Sequence, residues 1–233
     1  MTMQGERVGT AIVAIACVVL VAACGSSGSK GAKANPTKDR AAAQKLIVAQ
    51  ADLPSGWSGS ADTEDAQDKS TNQKMSQCVG SSTDTDHSAD VNGDDFDKGD
   101  AEISSEAVFA KTDDLFQQDV DALRGSKYET CIQQILAPEL KQSLEQSSPG
   151  VQVGAMTITR FDAPKHGDVT EGFRLSVPIT PNGAPTVNVY DDIIAYGANR
   201  AELTLGFVNL NTPFDSTLER SLADKVGARL EKS

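Results

Sequence analysis

The side chains best suited to proton transfer near neutral pH are two histidines, His87 and His166. His166 precedes Asp168 in the sequence PKHGD, which is typical of a turn and could supply part of a Ser-His-Asp set. A nucleophile elbow requires Gly-x-Ser-x-Gly, and the nearest stretch, GWSG at 56–59, misplaces the second glycine. No phosphate-binding or dinucleotide-binding glycine pattern is present. We therefore expect no catalytic residue, no cofactor and no resident metal ligand.

Two adjacent acids, Asp191 and Asp192, stand in a segment with the alternation of a strand. One of them must either point toward the apolar side of that strand, where it would need a partner, or mark a β-bulge. We favour a bulge or an edge position. A hydrolase acting on cell-wall material through His166 or Asp192 is an alternative that no motif supports.

An apolar segment from Thr10 to Ala23 follows a short start that contains Arg7. At about 14 residues it has the length of a signal-peptide core and falls short of the ~20 residues that span a membrane. Residues 21–24, VAAC, resemble the lipobox of bacterial lipoproteins. The resemblance implies cleavage before Cys24 and a diacylglycerol on its sulfur, which would hold the protein at a membrane. The alternative is an ordinary secretory signal with an incidental cysteine.

The predicted domain boundaries follow from this N-terminal segment. We predict a signal peptide over residues 1–23, a flexible tether rich in Gly, Ser and Lys over 24–38, and one extracytoplasmic domain over 39–233. The expected location is the extracytoplasmic face of the cell membrane, with the lipid on Cys24 as the anchor.

Negative charge is concentrated in one part of the domain. The formal net charge is −12, and residues 62–100 contain eleven acidic residues and three lysines. Such a stretch repels phosphate backbones, so we expect no nucleic-acid partner. The polar composition predicts an acidic loop around 58–100, interrupted by a short helix around 74–79.

The run DVNGDDFDKGD, which begins at Asp90, raises the question of calcium. An EF-hand loop needs Gly at its sixth position and Glu at its twelfth, and here those positions hold Asp95 and Ala101. The EF-hand pattern therefore fails. A looser calcium site on the surface is the remaining alternative.

Two cysteines, Cys78 and Cys131, remain in the domain once Cys24 is lipidated. Because an exported protein meets an oxidising environment, we predict that they form a disulfide. The alternatives are two free thiols, or a Cys-His site that uses His87 or His166.

The first helix is predicted over about 39–51 and ends at the turn sequence DLPSGW. Trp57, the only tryptophan, closes that sequence. We favour a core position for Trp57, with a ligand platform as the alternative.

The middle of the chain combines one strand with two helices. Period-two alternation predicts a strand over 101–109. Thr112 fits the N-cap of a helix that closes at Gly125. A second helix is predicted over 127–145, kinked or split at Pro138.

The last third of the chain predicts an antiparallel meander with one wet and one dry face, followed by a helix. Four strands are indicated, over 151–161, 173–180, 187–196 and 200–210. The final helix has Thr212 as its N-cap and an apolar residue at every fourth position. We therefore predict an α+β, two-layer domain with a mostly antiparallel five-stranded sheet, in the order α-β-α-α-β-β-β-β-α.

The chain resembles a family of exported proteins through several short motifs. These are the lipobox, LPSGW after a first helix, a cysteine before an acidic stretch, YETC at 128–131, and TPF at the start of the last helix. Together they are similar to small secreted lipoproteins of mycobacteria and related actinobacteria, and more distantly to the extracellular sensor domain of PknH-like receptor kinases. The resemblance implies ligand sensing or binding outside the cell and supplies no catalytic residues.

The function expected from the sequence is a non-catalytic, sensor-like binding domain for an envelope ligand or protein partner, held at the membrane by its lipid. A lipid or glycolipid carrier is the first alternative, and it would need an apolar cavity between the sheet and the helices.

Overall fold

The computed structural model describes residues 33–62 and 66–232. Cys24, the predicted signal peptide and most of the predicted tether lie outside these residues. The helices are α1 (Pro36–Leu46), α2 (Ala66–Val79), α3 (Asp113–Arg124), α4 (Lys127–Ser147) and α5 (Ser216–Leu230). The strands are β1 (Ser58–Ala61), β2 (His87–Asn92), β3 (Asp94–Lys98), β4 (Ala101–Ala110), β5 (Gln152–Val153), β6 (Thr157–Phe161), β7 (Val169–Thr180), β8 (Val187–Ala198) and β9 (Ala201–Leu210).

The strands form one antiparallel sheet in the order β1-β3-β4-β9-β8-β7-β5, with β2 also paired to β4 and β6 also paired to β7. The α+β class is confirmed, whereas the described residues contain nine strands rather than the predicted five. One extra strand arises because the segment 151–161 divides into β5 and β6. The others come from the acidic stretch.

The acidic stretch was wrongly predicted as mostly loop. Its described residues form β1, α2, β2 and β3, and the helix is much longer than the predicted 74–79. Apolar residues are sparse here, but Ala89, Val91 and Phe96 are buried at alternate positions of β2 and β3. Because polar residues, most often Asp, fill the remaining positions, the stretch resembles a loop in composition while it keeps the two-residue period of a strand.

Helices cover both faces of the sheet, so the domain has three layers instead of the predicted two. In β8, Ile193 and Ala195 pack in the core beneath α3 and α4, whereas Ile194 and Tyr196 pack in the core beneath α1 and α5. The wet face predicted for the meander is therefore wrong. Central strands covered on both faces need apolar residues at nearly every position, and β8 and β9 largely meet this need.

Local signals placed the helices with mixed success. Thr112 caps α3 as predicted, and its side chain accepts a hydrogen bond from the Leu115 N–H. Helix α4 runs through Pro138 as one assigned helix. Helix α5 starts later than predicted, because Asp215, rather than Thr212, accepts the capping bonds.

The predicted disulfide is present and joins α2 to α4. The Sγ atoms of Cys78 and Cys131 are 2.07 Å apart. Cys131 is buried against the core beneath the helices, and Cys78 is partly buried beside it. The two cysteines are therefore occupied, and a Cys-His site is excluded. Across 33–62 and 66–232, helices that combine the length and apolar character of a membrane span do not occur.

Candidate ligand-binding groove

A groove of about 510 Å³ opens where the turn before β1, the β3–β4 hairpin and the start of α5 meet. We call it the Trp57 groove. Its apolar lining includes Pro54, Trp57, Phe214 and Leu218. The volume falls within the range of small-molecule sites, which combine an apolar surface with a few polar groups.

The two aromatic residues of the groove are fixed by the core beneath them. The ring centroids of Trp57 and Phe214 are 6.0 Å apart, and those of Phe214 and Phe207 are 5.2 Å apart. Trp57 is 8% exposed and belongs to the core beneath α1 and α5. The core position favoured from the sequence is therefore confirmed for Trp57, which also lines the groove, and its role as a ligand platform stays a prediction.

The turn that delivers Trp57 depends on a glycine. Gly56 has a φ of +96°, a backbone conformation that other residues rarely adopt. A Cβ at Gly56 would lie 3.4 Å from Cε and 3.5 Å from Nζ of Lys98. The glycine thus permits the turn and lets the Lys98 side chain cross it at the rim of the groove.

The polar groups of the groove differ in how well they are satisfied. Asp215 Oδ1 accepts from the backbone N–H groups of Thr217 and Leu218, at 2.9 and 3.3 Å. Among the described residues, the Lys98 ammonium donates to one group, the Ser55 carbonyl, at 3.4 Å. The indole Nε1–H of Trp57 is buried out of reach of solvent and finds no acceptor among those residues. The groove therefore presents one exposed cation, Lys98, beside an apolar surface.

Asp191 and Asp192 were expected at a bulge or an edge, and that interpretation is wrong. Strand β8 is internal, and both residues pair in regular register with β7 and β9. Asp192 is fully buried and is held by Arg174, whose Nε and Nη2 each lie 2.5 Å from a carboxylate oxygen. The inward acid is therefore paired.

Asp191 lies on the opposite face of the sheet, where protonation rather than an ion pair avoids a buried charge. It is 2% exposed. Burial, with a smaller contribution from the charge of Asp192, raises the pKa of Asp191 to about 8. A carboxyl with this pKa is largely protonated at neutral pH, which avoids the cost of a buried charge.

Three more acids on the α2–α4 side have raised pKa values. Burial raises the pKa of Glu102 to about 8, with further contributions from Asp95 and Asp97. Burial also raises the pKa of Asp119 to about 8, against the opposing effect of hydrogen bonds that include one from Ser82. Burial raises the pKa of the neighbouring Glu202 as well. The strand acids Glu102 and Glu202 were missed as interior residues because their side of the sheet was expected to face water, and Asp119 is a buried residue of α3.

The histidines do not assemble a catalytic set. His166 lies between two acids of α5, with Nδ1 3.0 Å from Glu231 and Nε2 3.3 Å from Asp224. Asp168, the partner suggested by the sequence, instead donates its backbone N–H to the Gly197 carbonyl. His87 is partly buried on β2, and desolvation lowers its pKa.

The acidic run considered for calcium is placed on β2 and β3. Over 33–62 and 66–232, His, Cys, Asp and Glu side chains do not gather in threes suited to a metal ion. Burial and three nearby acids raise the pKa of Asp95 to about 6. Proton uptake therefore relieves part of the repulsion in this run.

The cavity between α3 and the sheet bears on the carrier alternative. It measures about 20 Å³ and is lined in part by Tyr128, Asp119 and Glu202. This volume suits about one water molecule and does not admit an acyl chain.

Comparison with solved structures gives weak likenesses. The extracellular domain of PknH from Mycobacterium tuberculosis matches with a TM-score of 0.40 and 8% identity, over 83% of this chain and 97% of that one. The cyanobacterial PsbP protein of Synechocystis matches with a TM-score of 0.33 and 13% identity, over 88% and 96%. LpqN, involved in cell envelope biogenesis of Mycobacterium tuberculosis, matches with a TM-score of 0.24 and 11% identity, over 78% of each chain.

These likenesses include the kind of sensor domain that the sequence resembles, but their scores are too low to support an argument about function. No protein-family model matches the chain. No curated protein matches its sequence either.

Proposed function

We propose that this protein is a non-catalytic binding module, tethered to the extracytoplasmic face of the membrane, that takes a small ligand in the Trp57 groove. The observation that carries the proposal is the groove itself, about 510 Å³ in volume with an aromatic surface and an exposed ammonium, that of Lys98. Sites of this size bind through apolar contact and use a few polar groups for orientation.

The chemistry of the lining favours binding over catalysis. Its ionisable residues are Lys98 and Asp215, and Asp215 is engaged as the N-cap of α5. A general acid or base needs a free group within reach of the substrate, which a capping carboxylate provides poorly. A binding site needs an apolar surface and a few polar groups, and the lining provides both.

The tether is the second part of the proposal and rests on residues 21–24. Labelled palmitate should enter the protein in the producing cells, and the Cys24→Ala variant should lose the label. Incorporation that survives Cys24→Ala, or that never occurs in the parent chain, would remove the anchor and leave the groove proposal standing.

The groove can be tested by fluorescence, because Trp57 is the only tryptophan. The mature domain would be titrated with glucose, N-acetylglucosamine, glucuronate, octanoate and 1-octanol. We expect a saturable change in tryptophan emission with at least one of them. The Ser221→Phe substitution, which fills the groove from an exposed position of α5, should abolish it.

The matched control is Ser216→Phe, which adds the same ring at an exposed position of α5 outside the groove. It should bind as the parent chain does. A flat titration with every compound, or equal loss in both variants, would contradict the proposal.

A further inference from the structure

We infer that the ligand of the Trp57 groove is an organic carboxylate, whose charged group is held by Lys98 and whose apolar or ring-shaped body lies against Trp57 and Phe214. The inference rests on the proposed function and adds the chemical class of the ligand. Three observations carry it: the position of Lys98 at the groove, its lack of an acidic partner among the described residues, and the apolar lining.

The Lys98 ammonium is the exposed cation of the groove. Among the described residues it donates one long bond, to the Ser55 carbonyl at 3.4 Å. The Asp215 carboxylate, the acid of the lining, accepts two backbone N–H groups as the N-cap of α5. A ligand carboxylate can give the ammonium a shorter, charge-assisted hydrogen bond.

The alternation of β3 separates Lys98 from the acids around it in sequence. Lys98 shares a face of the strand with Phe96, which is buried in the core that also contains Trp57. Asp95 and Asp97, one residue to either side of Phe96, point to the opposite face. The sheet therefore presents a positive charge to the groove from within the most acidic part of the chain.

Some lysines of the described residues are paired with acids, whereas Lys98, like several other exposed lysines, is not. Lys74 lies 2.6 Å from Glu139, and Lys225 lies 2.9 Å from Asp52. Lys98 forms no ion pair within 33–62 and 66–232, and its ammonium lies exposed at the rim. An exposed ammonium beside an apolar surface can pair with the carboxylate of a ligand whose apolar part binds that surface.

The apolar lining explains why the carboxylate must be part of a larger molecule. The formal net charge of −12 disfavours the approach of a free small anion. Contact of a ring or chain with Trp57, Phe214 and Leu218 supplies attraction that charge alone does not. A sugar acid and a fatty acid both have this chemistry.

The experiment compares each acid with a neutral counterpart of similar shape. The pairs are glucuronate with its methyl ester, and octanoate with 1-octanol, each titrated by calorimetry into the mature domain. The variants are Lys98→Met, which removes the charge, and Lys98→Arg, which retains it. Lys165→Met is the control, because Lys165 is exposed on the connection between β6 and β7.

We expect one acid to bind at least about tenfold more tightly than its neutral counterpart, because a hydrogen bond between charged groups is stronger than one to a neutral acceptor. Lys98→Met should remove that advantage, Lys98→Arg should keep most of it, and Lys165→Met should leave it unchanged. Preference for glucuronate identifies a sugar acid, and preference for octanoate identifies a fatty acid.

Two results would overturn the inference, and they differ in what they leave standing. Equal binding of acid and neutral counterpart, unchanged in Lys98→Met but lost in Ser221→Phe, would keep the groove as a site and reject the carboxylate. Failure of both acids and both neutral compounds to bind, together with a flat fluorescence panel, would reject the proposed function as well.

Discussion

The Trp57 groove and the carboxyl groups buried in the sheet treat unsatisfied polar atoms in opposite ways. Inside the sheet, Asp192 is paired with Arg174, and Asp191 has a pKa raised to about 8, so that it is largely neutral at pH 7. At the groove, the Trp57 N–H lacks an acceptor. These two interior acids are thus accommodated by pairing or by protonation, whereas the indole N–H finds no acceptor among the described residues.

The difference has a chemical origin. A buried carboxyl can take up a proton and lose its charge, so its environment sets its pKa. An indole N–H has no such route, and its hydrogen bond must come from an acceptor. Changes among the interior groups should therefore alter stability, and changes around the groove should alter binding.

The largest expected effect on stability comes from the disulfide. Replacing Cys78 and Cys131 together by Ser should lower the free energy of unfolding by about 4 kcal/mol, because the bond closes a loop across a sequence separation of 53. Urea denaturation of the purified domain measures this. Reductant should destabilise the parent chain similarly and leave the double variant unchanged; a loss below about 1 kcal/mol would contradict the expectation.

The next effect concerns the charge pair in β7 and β8. Arg174→Met should cost about 3 kcal/mol, because it leaves the carboxylate of Asp192 buried without a cation. Adding Asp192→Asn to that variant should recover part of the loss, since the stranded charge is then gone. A single variant as stable as the parent chain in urea would show that Asp192 does not depend on Arg174.

A smaller effect is expected in the pH dependence of stability. The pKa of Asp191 rises from its ordinary value of 3.8 to about 8 on folding, so the folded state binds more protons than the unfolded state between these values. Stability should therefore fall as the pH rises from 5 to 8. Asp191→Asn should reduce that slope by up to about 1.4 kcal/mol per pH unit.

The control for this prediction is Asp192→Asn, which changes the neighbouring acid on the other face. It should leave most of the slope in place, because Glu102 and Asp119 also have pKa values raised to about 8. Denaturation curves of both variants at pH 5, 6.5 and 8 measure the two slopes. An unchanged slope in Asp191→Asn would mean that Asp191 is ionised in the folded protein.

The smallest effects on stability should come from the groove. Lys98→Met and Ser221→Phe change exposed side chains, so each should alter the free energy of unfolding by less than about 0.5 kcal/mol while it changes binding. Thermal and urea denaturation of both variants provide the check. A loss of several kcal/mol in either variant would mean that the groove residues serve the fold.

The parts of the fold that could be predicted are those set by neighbouring residues. Alternation identified β4 and β7 to β9, Thr112 marked the start of α3, and the two cysteines in an exported chain indicated the disulfide. The strands and the helix cap are each indicated by residues only a few positions apart, and the disulfide is indicated by the number of cysteines. The sequence also singled out Trp57, although it left open whether that residue packs or binds.

The burial of polar residues could not be predicted, because it depends on distant segments. Strand β8 appears one-sided in the sequence, but α3 and α4 cover one of its faces and α1 and α5 cover the other, which buries Asp191 as well as Asp192. The groove likewise joins Trp57, Lys98 and Phe214, which are far apart in the sequence. If the run DDFDK is taken as a strand, its alternation places Lys98 on the opposite face from the acids beside Phe96. That pattern is the signal that could have located Lys98.

The most direct test of the account follows the indole N–H of Trp57 itself. In a ¹⁵N-labelled domain this single tryptophan gives one indole resonance. During titration with glucuronate or octanoate, that resonance should move and saturate together with the fluorescence change, because the ligand lies against the Trp57 ring. An indole resonance that stays fixed while either compound binds would contradict the account.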